Sequence, residues 1–199
     1  MNRQQRRRQE KNNKIVIKNN NYSFGTMDSK VKIEDNFLPQ KELVEIQEMM
    51  TEPASFPWFY NNLIDLEDDE NKFQFLHVFY FDNKPQSPHL PSMTPILELL
   101  QPLLLYRIKA NLLTRTPEIV QNRFHVDMEY LSEEKRKQFI TSIFYVNTNN
   151  GYTKFENGTK IESVANRMIS FPANMRHTGT SCTDERIRVV INFNYCGME

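Results

Sequence analysis

Phe139-Ile140-Thr141-Ser142-Ile143-Phe144-Tyr145-Val146, Gly151-Tyr152-Thr153-Lys154-Phe155, Lys160-Ile161-Glu162-Ser163, Arg167-Met168-Ile169-Ser170-Phe171 and Arg186-Ile187-Arg188-Val189-Val190-Ile191-Asn192-Phe193-Asn194-Tyr195 follow one another along the chain. Each run is rich in β-branched and aromatic residues, and Asn, Gly, Pro or Asp punctuates the gaps, as in strands joined by turns. No helical pattern separates the runs. This regular spacing predicts an antiparallel sandwich or barrel rather than βαβ units.

Upstream of these runs the period changes. Leu43, Ile46, Met49 and Met50 recur at three- and four-residue spacing, which predicts a dozen-residue amphipathic helix ended by Pro53. A second helix is expected over Met93–Leu105, then an alternating strand from Tyr106 to Leu112. The helices should cover one sheet from outside. Val31-Lys32-Ile33 and Phe73–Phe81 also read as strands, Ile15–Ile17 as a short edge strand, and Asp65–Glu70 as a solvated turn. The aromatic cluster Phe56-Pro57-Trp58-Phe59-Tyr60 suits core packing or a pocket wall. His77 reads as structural and His89 as a surface residue.

Twenty-five basic and 25 acidic residues cancel among 199, so no global field draws the protein to nucleic acid, and nucleic acid is not an expected partner. Residues 1–13 are basic and lack apolar anchors, which predicts a disordered basic tail, with a single domain over 14–199. Mean hydropathy is −0.65, and no apolar run approaches the ~20 residues that span a bilayer, so no membrane contact is expected. Cys182 and Cys196 are too few for a disulfide framework. With no apolar signal core at the N-terminus, they point to a reducing cytoplasm.

The chemistry-bearing residues lie inside the β-rich half. In Phe124-His125-Val126-Asp127, read as a strand, side chains at i and i+2 share a face, so His125 and Asp127 converge. An HxD alone is a weak motif. His177, 50 residues later and beyond a strand and turn, can be returned to that pair by a neighbouring strand. Two imidazoles and one carboxylate on one face of iron(II) leave three positions for an organic chelate and dioxygen.

In this order, His125-x-Asp127…His177 resembles the 2-oxoglutarate and iron(II)-dependent oxygenase superfamily over roughly residues 105–195. The runs Thr141–Asn147 and Gly151–Phe155 look like the two strands that follow HxD in its prolyl-hydroxylase-like members, and the whole is similar to small phage-type members. The resemblance implies a mainly β fold with flanking helices around a double-stranded β-helix, the jelly-roll or cupin-like core. It implies Fe(II) at His125, Asp127 and His177, with 2-oxoglutarate and O2 as cosubstrates, in a host cytoplasm if the chain is viral. Tyr145 would lie near the oxoglutarate tail. A basic residue nine to eleven positions past the distal His would pair with its far carboxylate, and both Arg186 and Arg188 qualify. Arg188, which directly precedes Val189-Val190-Ile191, is expected deeper. Asn150 stands where the family has a second Gly before the strand.

The implied reaction is hydroxylation of a protein, prolyl by resemblance, or of a small molecule, with release of succinate and CO2. Trp58, Tyr60, Asn111 and Arg123 are candidate pocket residues. The competing readings are a cupin-like metal enzyme that does not use 2-oxoglutarate and a degenerate jelly-roll binding module.

Overall fold

The computed structural model describes residues 31–52, 56–64 and 72–197. The basic tail, the strand expected at Ile15–Ile17, Pro53 and the Asp65–Glu70 turn lie outside the described residues. In chain order the elements are β1 (Lys32–Glu34), α1 (Gln40–Thr51), β2 (Phe59–Asn61), β3 (Gln74–Phe81), β4 (Lys84–Pro85), a 3-10 turn (Leu90–Met93) and α2 (Thr94–Leu100). There follow β5 (Leu104–Thr114), α3 (Glu133–Arg136), β6 (Ile140–Tyr145), β7 (Tyr152–Phe155), β8 (Lys160–Glu162), β9 (Arg167–Pro172), β10 (His177–Gly179) and β11 (Ile187–Cys196).

The strands form two antiparallel sheets. The larger runs β1-β9-β6-β11-β5-β3-β2 with β4 on β3, and the smaller runs β10-β7-β8. Ile143 and Tyr145 of β6, Ile169 and Phe171 of β9 and Val190 of β11 pack against Phe155 and Ile161 of the small sheet. This double-layered arrangement is the expected jelly-roll core. The large sheet's opposite face receives the helices: Leu43, Ile46 and Met50 of α1 and Ile96 of α2 pack with Phe79, Ile108, Ala110, Phe144, Ile191 and Phe193. Each of the larger side chains, Ala110 excepted, contributes roughly 1.5–3 kcal/mol by leaving water. No helix among the described residues is long and apolar enough to cross a membrane.

Two expected elements differ. The second helix stops at Leu100 because Gln101 takes a left-handed conformation (φ 47°) and Pro102 supplies no N–H to continue the ladder, which frees Leu104 and Leu105 to begin β5. Arg123–Asp127 is not a strand. Only His125 is bridged there, and the chain turns over Asp127–Tyr130 with Met128 left-handed (φ 56°).

β5 and β11 place the site. They pair Val190 with Asn111 and Asn192 with Lys109. Because side chains alternate across a strand, Ile108 and Ala110 of β5 and Val189, Ile191 and Phe193 of β11 face the helices. Lys109 and Asn111, with Arg188, Val190 and Asn192, line a cleft on the other face.

Candidate active site

His125, Asp127 and His177 meet at this cleft, each offering one ligand atom, with all three atoms within 4.8 Å of one another. The geometry comes from backbone pairing rather than from a shared strand face. His125 N–H donates to the carbonyl of His177 and His177 N–H to that of His125, both at 2.9 Å, which sets the two rings 4.8 Å apart. Asp127 then enters from the turn.

The carboxylate of Asp127, 6% exposed, is held by the large sheet. Arg107 Nη2 donates to Oδ1 at 2.9 Å, while Thr141 Oγ1 at 3.0 Å and Asn194 Nδ2 at 2.9 Å donate to Oδ2. Arg107 Nε also donates to Asn194 Oδ1 at 2.8 Å, which closes the network. Burial pushes the Asp127 pKa up, but Arg107, His177, His125 and the Asn194 hydrogen bond outweigh it and keep the group ionised far below the usual carboxylate range. Burial, reinforced by His125, pushes the His177 pKa down to about 4, so its imidazole is neutral at pH 7.

These residues fit a divalent metal. Two carboxylate oxygens offer about four lone-pair positions, of which three are engaged and one remains. Nδ1 of His177 lies 3.1 Å from the Met175 carbonyl and Nδ1 of His125 lies 3.3 Å from that of Arg123. A carbonyl only accepts, so the Nδ1 atoms carry the protons and Nε2 is the nitrogen that each ring could offer a metal.

Arg188 lines the same cleft at 4% exposure. Its Nε donates to Ser163 Oγ at 2.9 Å and its Nη2 to Thr153 Oγ1 at 3.3 Å. Tyr145, fully buried, donates its hydroxyl to the same Thr153 oxygen at 2.7 Å, with its ring centroid 5.7 Å from the guanidinium. Burial lowers the Arg188 pKa, and no carboxylate among the described residues pairs with it. Arg186 is exposed and precedes β11.

Asn111 lines the cleft, but the other candidate pocket residues do not. Trp58 packs on the core and donates Nε1–H to the Met50 carbonyl, Tyr60 is 64% exposed, and Arg123 is exposed. His77 is structural as expected, buried with its ring nitrogens 2.7 Å from the Pro57 carbonyl and the Ser87 hydroxyl. Sequence reading missed Arg107, Thr141 and Asn194, which hold Asp127, and Ser163 and Thr153, which hold Arg188. The available signal was the alternation Arg107-x-Lys109-x-Asn111 opposite Asn192-x-Asn194.

No protein-family model matches the sequence, and no curated protein matches it either. Solved structures do share its fold. An oxidoreductase of the 2OG-Fe(II) oxygenase family from Burkholderia pseudomallei superposes with a TM-score of 0.57 at 13% identity, over 84% of this chain and 86% of that one. A prolyl hydroxylase from Trichoplax adhaerens, solved with a hypoxia inducible factor oxygen degradation domain peptide, gives 0.59 at 12% identity, over 84% and 83%. The epimerase SnoN, solved with Fe3+, alpha ketoglutarate and nogalamycin RO, gives 0.59 at 13% identity, over 84% and 78%. The chain has the fold of the 2OG-Fe(II) oxygenases.

Proposed function

We propose that the protein is an iron(II)- and 2-oxoglutarate-dependent oxygenase with Fe(II) held by His125, Asp127 and His177. The observation that carries this reading is that one cleft joins the His-Asp-His set to the buried Arg188, a cation without an acidic partner among the described residues. 2-Oxoglutarate answers both features. Its keto acid end is a chelate for the metal, and its far carboxylate is the counter-charge that a planar guanidinium binds with two charge-assisted hydrogen bonds.

Iron(II), when bound, supplies the activation of dioxygen coupled to decarboxylation of 2-oxoglutarate to succinate and CO2. The protein's part is positional. Asp127 stays ionised as the anionic ligand, His177 is neutral without shedding a proton, and Thr153 and Ser163 aim the Arg188 fork. Tyr145 supports Arg188 from behind through Thr153, and Arg188 is favoured over Arg186, which is exposed at the rim, as the partner of the far carboxylate. The oxidised substrate is a protein residue, with proline the first candidate, or a small molecule.

The test is succinate release from 2-oxoglutarate across peptides, amino acids and nucleic acids, beside an anaerobic iron(II) and 2-oxoglutarate titration watched for a visible charge-transfer band. Absence of both the band and saturable metal binding overturns the assignment. Metal binding and turnover without stoichiometric succinate would instead mark a cupin-like enzyme.

A further inference from the structure

β6 does not reach the start of β11. Its last paired residue, Tyr145, lies opposite Val190, and Val146 N–H donates to the Val189 carbonyl at 3.1 Å. Before Val189, β5 covers one edge of β11, pairing Leu113 with Arg188 and Thr114 with Ile187. On the other edge the side chain of Asn147 takes the place of a strand. Its Nδ2 donates to the Ile187 carbonyl at 2.8 Å, and its Oδ1 accepts from Val189 N–H at 2.9 Å. A backbone N–H only donates and a carbonyl only accepts, so the orientation of this amide is fixed. The two bonds bracket Arg188.

The turn that begins at Asn147 also carries the group that holds the Arg188 fork. Asn149 Nδ2 donates to the Asn147 carbonyl at 3.2 Å, and Asn149 Oδ1 accepts from Gly151 N–H at 3.0 Å. Ser163 N–H donates to the Gly151 carbonyl at 3.0 Å and Asn149 N–H to the Ser163 carbonyl at 3.1 Å, while Ser163 Oγ accepts from Arg188 Nε at 2.9 Å. The main chain and the guanidinium of Arg188 are tied to one turn.

We infer that Asn147 is a positioning residue, which fixes the backbone of Arg188 so that its guanidinium meets the far carboxylate of 2-oxoglutarate. The inference rests on the oxygenase reading for that ligand. A long side chain magnifies a small backbone shift at its far end, and misplacing a binding group by about 1 Å is costly. Asn147 also satisfies the N–H of the fully buried Val189, which is a purely structural service. Positioning adds a distinct consequence: only a ligand with a far carboxylate should feel the loss of Asn147.

The full chain, loaded with Mn(II), is titrated calorimetrically with 2-oxoglutarate and with 2-oxobutyrate, which has the chelating end but no far carboxylate. Asn147→Ala should weaken 2-oxoglutarate roughly five- to thirtyfold, the factor for one or two neutral hydrogen bonds, and change 2-oxobutyrate and Mn(II) by less than about twofold. In an Arg188→Met background the same change should cost 2-oxoglutarate nothing further. Asn147→Asp keeps the acceptor for Val189 and loses the donor to Ile187, and should show the same selectivity if the alanine variant does not fold.

Equal losses for the two oxoacids, an unchanged 2-oxoglutarate affinity, or a further loss on top of Arg188→Met would overturn the positioning role. Hydrogen exchange of the Arg188 Nε–H, read by NMR in the metal-free protein, needs neither metal nor cosubstrate and should speed up in Asn147→Ala by a similar factor. Unchanged exchange of that proton would count against Asn147 alone. Failure of the unaltered protein to bind Mn(II), or to prefer 2-oxoglutarate over 2-oxobutyrate, would count against the oxygenase reading instead.

Discussion

The main chains of His125 and His177 exchange two hydrogen bonds of 2.9 Å in an isolated antiparallel bridge, so the two imidazoles are set side by side by the backbone itself. Removing a ring leaves those bonds in place. His177→Ala should keep its secondary structure yet lose Mn(II) affinity by more than the roughly 10–100-fold typical of an outer-shell change. Added imidazole should restore part of it. Unchanged Mn(II) binding would remove His177 from the ligand set.

Arg107 is the counter-ion of Asp127 in the metal-free protein. Arg107→Met strands a buried carboxylate, which should lower metal-free stability by about 3–5 kcal/mol. The same change makes the dication the only counter-charge, so Mn(II) affinity should rise and Mn(II) should stabilise the variant more than the parent. Urea unfolding with and without Mn(II) reads both effects. Weaker Mn(II) binding would mean that Arg107 acts by orienting Asp127. Asp127→Ala would remove the carboxylate ligand and at the same time leave the Arg107 guanidinium without its acid.

If Arg188 holds the far carboxylate as proposed, Arg188→Met should raise the Michaelis constant for 2-oxoglutarate by orders of magnitude with metal binding retained, because it would remove one side of a desolvated pair. Arg186→Met at the rim should change it only a few-fold. The reverse ranking would transfer the anchor to Arg186.

Gly151 makes room for the Arg188 side chain. A Cβ there would lie 2.7 Å from Arg188 Cδ and 2.7 Å from the Ser181 carbonyl oxygen. Gly151→Ala should cost about 1–3 kcal/mol by overpacking and weaken 2-oxoglutarate binding, with Mn(II) affinity unaltered. Calorimetric titration of the two ligands separates these outcomes, and equal losses for both would show a general collapse of the cleft.

His177 has a folded pKa of about 4 against an ordinary 6.5, so between these values the unfolded chain binds the extra proton. Stability of the metal-free protein should be complete above pH 6.5 and fall steadily towards pH 4, by on the order of 3 kcal/mol. His177→Gln should flatten this slope. A variant whose unfolding midpoint keeps the full slope would assign it to other groups.

The sequence by itself determined the strands and their faces, since a period of two fixes which side chains share a side: β5 and β11 emerge within two residues of their expected bounds. It also marked His125, Asp127, His177 and Arg188 as candidates by type and order, although it assigned His125 and Asp127 to a strand where the structure has a bridge and a turn. What only the tertiary structure decided is which polar face meets water. Arg107-x-Lys109-x-Asn111 has the same alternation whether it faces solvent or a cleft, and only the small sheet, whose Thr153, His177 and Gly179 line the same cleft as Lys109 and Asn111, turns it inward. The same packing buries Asp127 beside Arg107 and leaves Arg188 without an acid among the described residues. Those are long-range Coulomb and desolvation effects between residues up to 87 apart in the chain, as for Arg107 and Asn194, and no local pattern encodes them.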